Sequence, residues 1–132
     1  MWHYDSDDEA LTDVLRLSRG MSYKNAMAGL DFGGGKAVII KSPGFTEHDA
    51  LFEKFGEFVQ QLHGTYVTAE DVGMSVEKME LIARRTKFVS GLPMQSGQAG
   101  GDPSPKTAYG IFCGIEAAIR FIDKKRPDLR GI

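Results

Sequence analysis

Along this chain apolar residues recur at helical spacing in four stretches and run unbroken in a short fifth. Ser6 followed by Glu9 forms a capping box ahead of Leu11, Val14, Leu15 and Leu17. The pattern continues through Met21, Ala26 and Met27 to a stop at Gly29, which predicts a first helix. Ala37–Ile40 is an apolar run between Lys36 and Lys41, the pattern of a short strand buried on both faces. Pro43-Gly44 marks a turn. Thr46 then caps a second helix carrying Leu51, Phe52, Phe55, Phe58, Val59 and Leu62, which ends near Gly64. The β-branched and aromatic segment Thr65–Thr68 predicts a second strand. Ala69–Gly73 is the loop at its end.

Ser75 opens a third helix with Val76, Met79, Leu81 and Ile82. A glycine-rich loop runs from Gly91 to Asp102. Ser104-Pro105 reads as a cap with proline at the first helical position. The last helix carries Tyr109, Ile111, Phe112, Ile115, Ile119 and Ile122, and Pro127 ends it. Alternating strands and helices predict an α/β class, a layered α/β/α domain with a small mixed sheet. Ligands in such sheets sit beyond the C-terminal ends of strands, and Asp71 lies there.

Composition narrows the function classes. The chain has 132 residues, 42% of them hydrophobic and 26% charged, which suits one globular domain. A net charge of −2 gives no reason to expect a nucleic-acid partner. The cluster Lys124, Lys125, Arg126 is read as the basic end of a helix. No apolar run approaches roughly 18 residues and no leader opens the chain, so no membrane association is expected. A single cysteine, Cys113, fits a cytoplasmic setting, and its apolar helix makes it a core residue. His3, His48 and His63 do not fall at metal-ligand spacing, and no metal is expected.

Glycine gathers at Gly33-Gly34-Gly35, just before Lys36. This is not a phosphate loop: Leu30 stands where that motif's first glycine belongs, and Ala37 follows the lysine. No G-x-G-x-x-G occurs, so the chain holds no dinucleotide fingerprint. The plain reading is a tight turn before a strand, with a solvated lysine. The alternative gives Lys24 and Lys36 to one pocket for an anionic substrate. One ammonium would pair with a carboxylate, and the other, repelled and partly desolvated, would act as a base. Asp71 is open to the same two readings, a common loop residue or an acid/base group.

Four segments resemble the family of amino-acid dehydrogenases that includes leucine, valine, phenylalanine and glutamate dehydrogenases, and most of all its leucine branch. They are Leu15–Leu30, Gly33–Ile39, Thr68–Gly73 and Gly101–Gly110, in family order and spacing over nearly the whole chain. The resemblance implies reversible, NAD-dependent oxidative deamination of a branched-chain L-amino acid to the 2-oxo acid and ammonia. It implies that Lys24 binds the substrate carboxylate and that Ala69 lines the side-chain pocket. Lys36 would activate water, Asp71 would exchange protons with the substrate nitrogen, and Thr107 would lie near the nicotinamide carboxamide. Residues 1–126 would be the substrate-binding and oligomerisation domain of a homo-oligomer, incomplete at its N-terminus. Residues 127–132 would begin the connection to an NAD-binding Rossmann domain that the chain lacks, so that it is inactive alone. The alternatives are a phenylalanine dehydrogenase and a non-catalytic oligomerisation or amino-acid-binding module derived from such an enzyme.

Overall fold

In a computed structural model of the chain the structure describes residues 1–94, 100–124 and Leu129. Among these residues the fold is α-rich, in the order α1 (Asp7–Met27), α2 (Asp49–Gln61), α3 (Val76–Ala83) and α4 (Ser104–Ile122). The chain divides into two compact units, Met1–Gly101 and Asp102–Ile132. Pro127, Lys125, Arg126, part of the glycine-rich loop (residues 95–99) and most of the 127–132 connection lie outside the described residues.

Helix α1 begins and ends as its sequence dictates. The Ser6 hydroxyl accepts the Glu9 N–H at 3.1 Å, while the Glu9 carboxylate accepts the Asp5 N–H, one residue ahead of the cap. At the far end Gly29 adopts φ +67, its N–H reaches Ala26, and the Leu30 N–H reaches Asn25. This is a Schellman stop, and its left-handed residue is glycine because no Cβ obstructs that conformation.

Two expected caps are displaced. The turn at Ser42–Phe45 has proline second and Gly44 third with φ +78, and the Phe45 N–H returns to Ser42. Thr46 points its hydroxyl back to the Gly44 carbonyl, so it does not cap α2; His48 takes that position without a side-chain bond. At α4 the Asp102 carboxylate accepts the Ser104 N–H at 2.8 Å, which places Ser104 inside the helix and not ahead of it. Ser75 does cap α3, accepting from Lys78.

The core of the first unit lies between α2 and α3. Phe52 clusters with Met79, Leu81 and Ile82, all buried, and Val59 of α2 is fully buried as well. Gly56 sits at the contact: a Cβ there would lie 2.6 Å from the Ile82 carbonyl oxygen. The missing side chain is what lets the helices approach. Phe58 and Leu62, expected on the same apolar face, are exposed.

Neither expected strand forms a ladder among the described residues, and Thr65 sits in a bend with its N–H bonded to the Leu62 carbonyl. Each takes part in one isolated parallel bridge, Trp2 with Ile40 and Thr68 with Val89. A two-sided strand at Ala37–Ile40 is not formed either, since these residues are only half-buried. The small mixed sheet is therefore reduced to single pairings. Gly91, at φ +81, ends the partner segment of Thr68. In α4, taken by itself, no residue is buried, and Cys113 is half-exposed instead of core.

Candidate active site

The three glycines thread the chain between α1 and an aromatic ring. The Asn25 amide donates to the Gly33 carbonyl at 2.7 Å and ties the loop to the end of α1. A Cβ on Gly34 would collide with the Ser18 carbonyl and with Ser22 of α1, and one on Gly35 would lie 2.7 Å from the Tyr66 ring. Only bare backbone fits through this gap, and Lys36 emerges on its far side. The lysine is therefore not the solvated residue of the plain reading: its side chain is 22% exposed and forms an ion pair with Asp71.

Asp71 reaches this position from the other side. Thr68 is buried and anchored by its bridge, with the Thr68 N–H bonded to Phe88 and the Ser90 N–H returning to Thr68. The chain then turns at Asp71–Met74, where the Met74 N–H bonds to the Asp71 carbonyl and Gly73 takes φ +79. One Asp71 oxygen accepts the Val72 N–H at 2.7 Å, leaving the other for Lys36. The carboxylate remains 46% exposed, open to an incoming molecule.

Lys36 and Asp71 share the wall of a cleft of about 310 Å³, together with Ala69, Tyr66, Leu17 and Met21. Burial holds the Lys36 pKa below the ordinary amine value, and the positive charge of Lys24 pushes it the same way. The consequence is a lysine with an enlarged neutral fraction beside a carboxylate. This combination can pass protons.

The sequence-derived residues are placed unequally. Lys36, Asp71 and Ala69 come together in the cleft. Lys24 lies exposed in the last turn of α1, does not line the cleft, and acts on it through its charge. Thr107 lies exposed near the start of α4, in the second unit.

Sequence reasoning passed over Tyr4 and Asp13, which also line the cleft and share a 2.6 Å hydrogen bond. That bond to a carboxylate pushes the Tyr4 pKa up to about 12. It also passed over Glu70, whose Oε2 is buried without a hydrogen-bond partner. Among the described residues no three His, Cys, Asp or Glu side chains converge as metal ligands, and no helix is long and apolar enough to cross a membrane. The cleft does not fit a dinucleotide. Its volume is at the small end for ligand pockets and the chain offers no phosphate-binding glycine turn.

Comparison with known proteins places these residues in context. A family model described as Glu/Leu/Phe/Val dehydrogenase, dimerisation domain, matches residues 1–88. The leucine dehydrogenase of Geobacillus stearothermophilus is 52% identical over 91% of this chain and 32% of its own length. The valine dehydrogenase of Streptomyces virginiae is 50% identical over 97% of this chain and 35% of its own. The crystal structure of L-tryptophan dehydrogenase from Nostoc punctiforme superposes with a TM-score of 0.65 at 40% identity, covering 89% of this chain and 31% of that one. The chain spans about a third of the length of the curated relatives it matches.

Proposed function

The chain belongs to the Glu/Leu/Phe/Val dehydrogenase family, in its dimerisation domain, and on that premise we propose that it is the substrate-binding part of an NAD-dependent amino-acid dehydrogenase. The observation that carries this reading is the Lys36–Asp71 pair in a small cleft, with the lysine pKa lowered by burial and by Lys24. Perturbed pairs of this kind are what acid/base sites require.

In this reading the Lys24 ammonium holds the α-carboxylate of the amino acid. Asp71 takes a proton from the α-ammonium, which leaves the nitrogen lone pair free. NAD, which the rest of the enzyme would hold with Thr107 near its carboxamide, would supply the hydride acceptor for the α-carbon. Neutral Lys36 then removes a proton from water so that the oxygen attacks the resulting imine carbon. Asp71 returns its proton to the nitrogen of the carbinolamine, the C–N bond breaks to release ammonia, and the hydroxyl gives its proton to the freed Asp71 carboxylate as the 2-oxo acid's C=O forms. No step needs a metal ligand from this chain.

The substrate is a branched-chain L-amino acid, leucine or valine. Apolar Leu17, Met21 and Tyr66 around small Ala69 favour an aliphatic side chain, and the leucine and valine dehydrogenases among its relatives support the same class. The enzyme works as a homo-oligomer, which the family's description as a dimerisation domain supports. Within the complete protein the segments around Ile40 and Thr68 belong to a small sheet in a layered α/β/α domain, a placement for which their parallel bridges are the support.

The test is reduction of NAD by the full-length protein across a panel of L-amino acids. Highest kcat/KM with leucine or valine is the expected result. A preference for phenylalanine would move the substrate assignment, and no turnover by a folded, NAD-binding protein would replace the enzyme with a binding or assembly module.

A further inference from the structure

One ammonium outside the reacting pair holds three separate elements together. Lys78, on α3, donates to the Gly73 carbonyl at 3.0 Å. Its Nζ also pairs with Glu47, in the segment before α2, at 2.6 Å. The same group lies 5.4 Å from the centroid of the Phe52 ring on α2, a residue of the buried core. The Lys78 side chain is only 22% exposed, so this is not a loosely solvated surface pair.

Gly73 is the third residue of the turn that begins at Asp71. Its positive φ admits no alternative side chain cheaply. The Met1 amino group donates to the Val72 carbonyl at 2.7 Å and Met74 packs on the core, so Lys78 is the charged side-chain tether among three that hold this turn. The Lys78 bond to its carbonyl attaches that turn to the α2–α3 core. We propose that Lys78 is a positioning residue for Asp71, clamping the Asp71–Met74 turn so that the carboxylate meets Lys36 across the cleft. The proposal rests on the reading of Lys36 and Asp71 as the reacting pair, and its structural part stands independently of turnover.

Lys36 reports the position of Asp71 because the carboxylate is its nearby anion. The other charged groups acting on it are Lys24 from α1 and the Met1 amino group, and neither is bonded to Lys78. Replacing Lys78 by methionine keeps an apolar stem over Phe52 and removes the clamp. Deleting a cation would by itself raise a neighbouring lysine's pKa, whereas withdrawal of Asp71 lowers it. The two effects therefore differ in sign.

The experiment follows the Lys36 amine by NMR titration of ¹⁵N-lysine-labelled full-length protein, with the resonance assigned through Lys36→Arg, alongside steady-state kinetics. In Lys78→Met the Lys36 midpoint is expected to fall below wild type and kcat to drop roughly 10- to 100-fold, the loss typical of a small misplacement. Lys78→Arg, which can still bridge Glu47 and the carbonyl, is expected to recover most of both. An unchanged or raised Lys36 midpoint in folded Lys78→Met overturns the clamp. A lowered midpoint in a protein that never turns over amino acids keeps the clamp and overturns the dehydrogenase reading instead. Should Lys78→Met fail to fold, Glu47→Gln releases only the far anchor and a smaller fall in kcat is expected; an unchanged kcat overturns the proposal.

Discussion

Lys36 is held in a place that costs the fold something. Its pKa is lowered from the ordinary 10.5, so between the lowered value and 10.5 the folded chain binds fewer protons than the unfolded one. Stability contributed through this residue therefore rises with pH across that window, and below it the cost is fully present. Lys36→Met is expected to raise the thermal midpoint at neutral pH and to flatten this pH dependence, measured by calorimetry across the alkaline range. Asp71, left without the lysine, is open enough to solvent to tolerate the loss. Tyr4 works in the opposite sense. Its hydroxyl donates to Asp13, and Tyr4→Phe is expected to cost about 1 kcal/mol in denaturant unfolding, the usual worth of such a bond.

Composition left Lys36 and Asp71 open to two readings, and only the family resemblance of the segments Gly33–Ile39 and Thr68–Gly73 singled them out together with Ala69. The reason Lys36 is not solvated was not legible. It depends on Tyr66 and on Ser18 and Ser22 closing around Gly34 and Gly35, contacts between segments far apart in the chain. Lys78 was hidden for a similar cause. It occupies an ordinary polar position in a helical pattern, and nothing in that pattern reports a carbonyl from the preceding turn.

At the scale of elements, helices were well specified because their signals are local. Ser6, Ser75 and Gly29 act within a few residues of themselves, and all three perform as their chemistry suggests. Caps failed at Thr46 and Ser104, where a neighbouring turn or carboxylate offered a nearer partner. Strands were less legible since a strand is defined by its partner, and patterning speaks only of faces.

Two glycines in helices separate packing from propensity. Gly56→Ala forces a Cβ against the Ile82 carbonyl and the Arg85 side chain, so it is expected to destabilise by about 1–3 kcal/mol despite the gain in helix propensity. Gly20→Ala in α1 meets open space and is expected to stabilise by about 0.5–1 kcal/mol. Urea unfolding of both variants checks the pair.

For the whole molecule, the first unit holds a core between two helices and a cleft beside it, while α1 turns Leu11, Leu15 and Met27 outward. Apolar surface left open on this scale marks a place of association. Together with the family's description as a dimerisation domain, it leads to the expectation that the full-length protein sediments as an oligomer, with no monomer at micromolar concentration. Leu15→Glu is the matching variant if α1 takes part, and an unchanged sedimentation coefficient would remove α1 from the interface.

The central claim of the proposed function is that Lys36 is the base of an amino-acid dehydrogenase, its pKa lowered by its place in the cleft. The most direct measurement is kcat for NAD reduction by leucine in the full-length protein and in its Lys36→Ala variant, with folding of both verified. The account predicts measurable turnover in the wild type and a loss of roughly 10²- to 10⁴-fold in the variant. A variant that turns over leucine at near the wild-type rate would contradict it.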